Sequence, residues 1–241
     1  MKQYFLFSYF LLAGLVCFSQ TKSYDFRDRL NGKPIFENGY IDQPYVVVLD
    51  SGEWLSVFTT GLGEEGSGGQ HIVSSVSTDK GNSWSKPVLI EEPSAESASW
   101  AMPFKTNYGR IYVFYNYNGD KIHSLNSLTN IREDMLGWYS FKYSDDKGKT
   151  WSKRHRLPIR TTLVDRNNDW AGKVQILWGI GKPINVGKQG MMFAFTKLGK
   201  YMLDDGEGWF MRCDNINSER DPEKLKWNNL PEGDKGLRNP D

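Results

Sequence analysis

The feature that most restricts this fold is an octapeptide written twice. Residues 144–151 read Ser-Asp-Asp-Lys-Gly-Lys-Thr-Trp, and residues 77–84 read Ser-Thr-Asp-Lys-Gly-Asn-Ser-Trp. Both fit Ser-x-Asp-x-Gly-x-Thr/Ser-Trp, and both follow an alternating apolar run, at 71–77 and 138–144. The chemistry is that of a tight turn between antiparallel strands, opened by Ser77 or Ser144. Asp79 and Asp146 are of the type that accepts backbone N–H groups further round the bend. Gly81 and Gly148 supply the positive φ that such a turn needs. Trp84 and Trp151 return the chain to an apolar layer.

Around these turns the chain repeats. The first unit is expected to place strands at 45–49, 53–60, 71–77 and 86–90, and the second at 101–105, 110–116, 138–143 and 154–157. A degenerate third unit has strands at 182–185, 190–196 and 209–213, with 221–227 where the octapeptide would stand. Tryptophans at 84, 151 and 227 mark equivalent places, and prolines at 44, 103, 183 and 240 mark the entry strands. Short strands between Gly, Asn and Asp turns indicate an all-β sandwich, barrel or propeller. Repetition on this scale selects a β-propeller of four-stranded blades, at about 40–91, 99–158 and 173–231, with a fourth opening at 238.

Two such octapeptides, each after a strand, resemble the Asp boxes (BNR repeats) of the sialidase superfamily. The resemblance implies a six-bladed ring, of which about three blades are counted here, so the chain is expected to carry roughly half a ring. It also implies that Asp79 and Asp146 are structural, remote from any active site.

Residues 1–19 read as an export signal: Lys2 supplies the positive end, residues 4–16 are apolar except for Ser8 and Gly14, and small residues follow. The run is shorter than the ~20 residues that span a bilayer comfortably. The mature chain is expected to begin near Gln20 and to be secreted or periplasmic. Lipid anchoring through Cys17 is disfavoured by the preceding Val16. Without Lys2 the chain has 29 basic and 29 acidic residues (30 minus 1, against 29). That balance gives no footprint for nucleic acid or an anionic membrane. Cys213 is left alone after processing, so no disulfide framework is expected and an aromatic-rich core must hold the fold.

In a four-stranded blade, the loops from second to third strand and between blades emerge at one end. Here those loops are long: 61–70, 91–100, 118–136, 160–182, 197–208 and 231–239. The turns at the other end are tight. Binding and catalysis concentrate on long loops carried by a rigid scaffold, which places the site at that end near the axis.

By the resemblance, the acid/base residue lies on the first of these loops, at Glu64 or Glu65. A carboxyl among apolar loop atoms can protonate a leaving glycosidic oxygen; the plain alternative is two solvated charges. His71 at the strand mouth is a further acid or base, or a histidine bonded to loop backbone. Sialidases open their carboxylate-binding arginine triad with Arg-Ile-Pro; alignment by proline puts Asp42 of Asp42-Gln43-Pro44 in that place. A bidentate arginine is what that task needs, so Asp42 and Gln43 instead suit sugar hydroxyls. Trp100 is either a sugar platform or blade packing. Lys182 and Arg238 precede entry strands and suit an acidic group. Asp165, Arg166, Asp169 and Trp170 lie on the 160–182 loop. Asp204, Asp205 and Glu207 lack a recognised calcium-loop spacing, and no metal or cofactor is called for.

These readings converge on an exported, sialidase-like exo-glycosidase acting on a glycan or glycoconjugate. Its alternatives are a non-catalytic glycan-binding propeller, or a polysaccharide lyase with His71 as base or acid. Export is checked by N-terminal sequencing of the secreted protein, which should begin near Gln20; an intact Met1 would refute the signal.

Overall fold

The computed structural model describes residues 25, 27–37, 39–126, 128–129, 131–179, 181–201 and 204–238. Residues 1–19, expected to be an export signal and including Cys17, and the last entry proline lie outside them. The chain divides into Met1–Gly32 and Lys33–Asp241. In the first unit, Arg29–Asn31 forms one 3-10 turn capped by Asp28, which accepts the Leu30 N–H at 3.0 Å.

The second unit is all-β apart from single helical turns at Leu163–Arg166 and Pro222–Lys224. Its first sheet runs β1 (Tyr40–Val48), β2 (Trp54–Gly61), β3 (His71–Ser77) and β4 (Val88–Leu89), neighbour to neighbour and antiparallel. The second repeats that order with β5 (Ala98–Lys105), β6 (Ile111–Tyr117), β7 (Trp138–Ser144) and β8 (His155–Arg156). In the third, β9 (Leu177–Trp178) and β10 (Ile184–Val186) both pair with β11 (Gly190–Lys200). Next come β12 (Asp204–Cys213) and β13 (Trp227–Leu230). These are three propeller blades.

Sequence and structure differ most in the inner strands. β1 begins at Tyr40, five residues before the expected start, and Asp42-Gln43-Pro44 lies inside it at a bulge: Asp42 pairs with Thr59 and Tyr45 with Val57. Proline has no N–H for the ladder, and a bulge removes the demand for one. β5 bulges at the same level, between Ser99 and Met102. Gln43 (φ 48) and Trp100 (φ 66) occupy equivalent places, both left-handed. The register therefore sets Pro44 against Ala101 of the second blade, not against Pro103. The 197–208 loop is mostly strand, because β11 and β12 stay paired to Lys200 and Asp204. Charged Lys197 and Glu207 disguised it: both are buried against partners of opposite sign.

Stacking holds the blades together. In β6, Ile111, Val113 and Tyr115 face the first blade's Val47, Leu55, Val57 and Ile72. The alternate residues, Tyr112 and Phe114, face the third blade's Met191, Phe193, Trp209 and Met211. Glu91 ties the first blade's outer edge to the second. It accepts Arg154 Nε at 2.8 Å and Nη2 at 2.9 Å, with the Tyr115 hydroxyl as a third donor.

The two octapeptides close identically. Ser77 Oγ accepts the Gly81 N–H at 2.7 Å and donates to Asp79 Oδ1 at 2.8 Å; Asp79 then accepts the Ser83 N–H at 2.8 Å and its hydroxyl at 2.6 Å. In the second turn Ser144, Asp146, Gly148 and Thr150 repeat this at 2.8, 2.8, 2.9 and 2.6 Å. Gly148 is doubly constrained: its φ is 82°, and a Cβ there would lie 2.3 Å from Leu55 Cδ1 of the first blade.

These bonds set an acid limit. Hydrogen bonds from Ser83 and Ser77 hold Asp79 down to about 2; burial by itself would raise Asp146, but the bonds from Thr150 and Ser144 together outweigh it and lower the carboxyl. Burial alone would raise Glu91, but Arg154 and Tyr115 bring it below its usual range. Carboxyls depressed in the folded state stabilise it above their unfolded values, near 4, and that contribution is lost as pH falls through the folded values. The melting temperature should therefore drop steeply between pH ~4 and ~2, and Asp79→Asn should flatten that slope. An unchanged slope in the variant would refute the assignment.

Candidate functional site at the long-loop end

Two long loops meet over the start of β1. The 118–137 and 160–176 loops share a core of Ile131, Met135, Leu136, Val174, Ile176 and Leu198. They are also laced by backbone bonds, Leu177 N–H to Met135 at 2.7 Å and Gly137 N–H to Gln175 at 2.9 Å. At their base the Asp134 carbonyl accepts both the Trp100 indole N–H and the Asn116 side-chain amide, each at 3.1 Å. Asn116 also donates to the Leu177 carbonyl at 2.7 Å. One amide on β6 thus fixes the 118–137 loop and β9 together.

The side chains gathered there are Tyr40, Asp42, Glu65, Arg132 and Asp134, with the rings of Trp100 and Trp178. Arg132 is the hub. Its Nε donates to Asp134 Oδ1 at 3.2 Å, and its Nη2 reaches Asp134 Oδ2 and, at 2.8 Å, Glu65 Oε1. Its guanidinium carbon lies 5.7 Å from each of the Trp100 and Trp178 rings, whose centroids are 5.3 Å apart, within cation–π range. Gly66 (φ 84) admits this approach, since a Cβ there would lie 2.7 Å from Arg132 Nε. Asp134 is 1 % exposed at its side chain, whereas Glu65 is 49 % exposed. Burial pushes the Asp134 carboxyl above the usual carboxylate range, against the pull of Arg132. Burial, then the bond to Asp42, pushes the Tyr40 phenol well above its ordinary value. At neutral pH, Tyr40 is a neutral donor to Asp42.

The sequence candidates separate into those inside this cluster and those outside. Asp42 and Glu65 are inside. Trp100 is 2 % exposed, so it supports Arg132 from below rather than offering a sugar its face; the partly exposed ring is Trp178. Gln43 sits beside Asp42 at the bulge, its Oε1 buried without a hydrogen-bond partner. Glu64 uses its backbone to shape the loop, donating to Ser67 Oγ at 3.1 Å and accepting from Gln70 Nε2 at 2.8 Å.

His71 pairs with Thr60, and Thr60 with Ile41, so alternation puts it on the opposite face of the sheet from Asp42, Thr59 and Ile72. There it lines an apolar cavity of about 780 Å³ with Phe36, Leu62, Val73 and Leu89, and burial lowers its pKa. Lys182 lies deeper along β1, its Nζ donating to the Val46 carbonyl at 2.7 Å. Arg238 is paired with Asp205 and, at 3.0 Å, with Glu207. Asp165 is paired with buried Lys197 at 2.6 Å. Among the described residues no group of three or more acidic, histidine or cysteine side chains is placed to hold a metal ion.

Sequence reasoning missed Arg132, Asp134, Tyr40, Asn116 and Trp178. The available signal was Arg132-Glu133-Asp134, a charged triplet between apolar Ile131 and Met135.

No family model and no curated protein sequence matches the chain. Solved structures do. A protein of unknown function from Dyadobacter fermentans aligns at TM-score 0.59 and 16% identity, over 81% of this chain and 56% of that one. A variant of the NanB sialidase from Streptococcus pneumoniae aligns at 0.54 and 14%, over 85% and 47%. A Hadza microbial sialidase aligns at 0.51 and 16%, over 78% and 36%. The chain thus spans about half or less of the length of these sialidases. It has the blade architecture of a sialidase-like β-propeller.

Removing Arg132 would leave the Asp134 charge buried and unpaired. Arg132→Met should cost about 3 kcal/mol, the low end for a broken buried pair because Arg132 is itself partly exposed. In an equilibrium denaturation double-mutant cycle, adding Asp134→Leu should recover most of that loss. Strict additivity of the two substitutions would refute the pairing.

Proposed function

We propose that this cluster is a glycan site and that the protein is an exported, sialidase-like exo-glycosidase acting on terminal sugars. The observation that carries the reading is the convergence of Glu65, Asp42 and Tyr40 on the Arg132–Asp134 pair at the long-loop end. The fold shared with two sialidases supports it.

Within this reading Glu65, a carboxylate paired with Arg132 in the free protein, takes up a proton from solvent as the sugar binds and is the proton donor. It is the most exposed carboxyl of the Arg132 pair network and is carried on the glycine-rich 61–70 loop. As the glycosidic C–O bond breaks, its proton passes to the leaving oxygen; water forms the new C–O bond and returns a proton to the carboxylate. Asp42 accepts from sugar hydroxyls, with Tyr40 fixing its orientation. Asp134 is too deeply buried to touch a sugar and acts by holding Arg132.

One observation favours a second reading, glycan binding without cleavage. Glycoside hydrolysis commonly uses two free carboxyls, and here Glu65 and Asp134 both engage Arg132, leaving Asp42. A base at His71, as a lyase would need, is on the wrong face of the first sheet to join the cluster.

With the intact protein and aryl glycosides, Glu65→Gln should lower kcat by about 10²-fold or more, while Glu64→Gln and His71→Ala should stay within a few-fold of the parent. Retained turnover in Glu65→Gln would remove the hydrolytic role. Glycan binding without turnover in the parent would establish the second reading.

A further inference from the structure

Resting on the reading of the cluster as a glycan site, we propose that it accepts an uncharged sugar and rejects a carboxylate-bearing one, with Arg132 serving as a structural cation. An arginine at a sugar site invites the opposite expectation, a guanidinium fork clamping a carboxylate. Here the Nε–Nη2 edge of the fork is occupied. Nε and Nη2 are both committed to Asp134, and Nη2 also to Glu65. Two carboxylates, Glu65 and Asp134, hold this one guanidinium, and a third, Asp42, joins the cluster through Tyr40.

The nearby cations do not redress the balance. Lys182 is bound to the Val46 carbonyl, four residues further along β1 than Asp42. Arg238 is neutralised by Asp205 and Glu207, and Lys197 by Asp165. His123 is paired with Glu133, itself a further carboxylate beside the 61–70 loop, as the site a Cβ on Gly68 would occupy lies 3.2 Å from Glu133 Oε1. A ligand carboxylate would meet like charge at Asp42 and Glu65, which disfavours binding and slows encounter. Sugar hydroxyls, as donors, meet acceptors instead, and Trp178 offers the partly exposed ring beside them.

The same geometry makes Glu65 the residue that sets this preference. It pairs with Arg132 at the exposed side of the cluster, so neutralising it without changing its shape leaves Arg132 with one counter-charge fewer and removes one repelling charge. Glu65→Gln should therefore shift relative affinity toward acidic sugars even if it abolishes turnover.

The test compares ligands that differ by one carboxylate. Binding of methyl galactoside against methyl galacturonate, and of methyl glucoside against methyl glucuronate, is measured by saturation-transfer NMR and calorimetry on the intact protein, with a sialoside as a third acidic probe. The neutral member of each pair should bind at least tenfold tighter, by a margin that shrinks as salt is raised. In Glu65→Gln the neutral-to-acidic ratio should fall at least fivefold, with an unchanged melting profile confirming the fold. Equal or tighter binding of the acidic members by the parent would overturn the proposal while leaving the glycan reading intact. A ratio unmoved by Glu65→Gln would overturn the role given to Glu65. Binding of no sugar in either series would overturn the glycan reading and this inference with it.

Discussion

Everything in this molecule depends on sheets that are apolar on both faces. A sheet with one wet face can stand alone over a single core; a sheet buried on both sides must be stacked. β6 states the constraint most clearly, with residues 111–116 all buried. Its two faces differ in kind: aliphatic Ile111 and Val113 with Tyr115 on one side, aromatic Tyr112 and Phe114 on the other. The largely aliphatic face meets Val47, Leu55 and Val57, and the fully aromatic face meets Phe193 and Trp209. The two layers are therefore not interchangeable, and blade order is written into side-chain size.

Stacking of this kind leaves the two ends of the sheets chemically different. The octapeptide turns consume their own polar groups, with serine, aspartate and backbone amides satisfying one another inside eight residues. That end is closed chemistry. At the other end the polar groups at strand termini have no such local partners, and loops bring the partners in. Asn116 is the point of transfer: a residue of the central strand whose amide holds Asp134 of one loop and Leu177 of β9. The left-handed residues Gln43 and Trp100 belong to the same design, because each bulge turns the inner strand where it leaves the packed zone. Held backbone strain of that sort persists only where its surroundings over-determine it, and here Trp100 N–H is bonded to Thr59 Oγ1 at 3.1 Å and its indole to Asp134.

What the sequence makes legible follows from the range of each interaction. The octapeptides are complete within eight positions, so their geometry can be read from residue types alone, and with it the blade repeat. The end that carries long loops is legible too, because loop length is visible along the chain. The Glu65–Arg132 pair spans 67 positions and rests on no periodicity, so nothing near Glu65 announces its partner. Matching the blades by proline fails because the bulges of β1 and β5 lie at the same level and set Pro44 against Ala101, two residues before Pro103; register, not proline position, decides which residues are equivalent. Charge at Lys197 and Glu207 argues for an exposed loop, whereas the opposite charges brought by Asp165 and Arg238 make their burial tolerable.

The Arg132–Asp134 pair remains to be explained as a choice of chemistry. A buried ion pair is weak evidence for stability, since an apolar pair of similar volume does as well or better. Its contribution is directional. Hydrophobic side chains in place of Arg132 and Asp134 would pack against Trp100 and Trp178 in several rotamers, whereas a guanidinium bonded to one carboxylate through two nitrogens has one position between those rings. The Asp134 carbonyl, already committed to Trp100 and Asn116, fixes the other end. On the proposed reading, in which Asp42 and Glu65 face a glycan, that single arrangement serves better than additional stability. The acidic surplus at the site follows from the same arrangement, because two carboxylates, Asp134 and Glu65, share this one arginine.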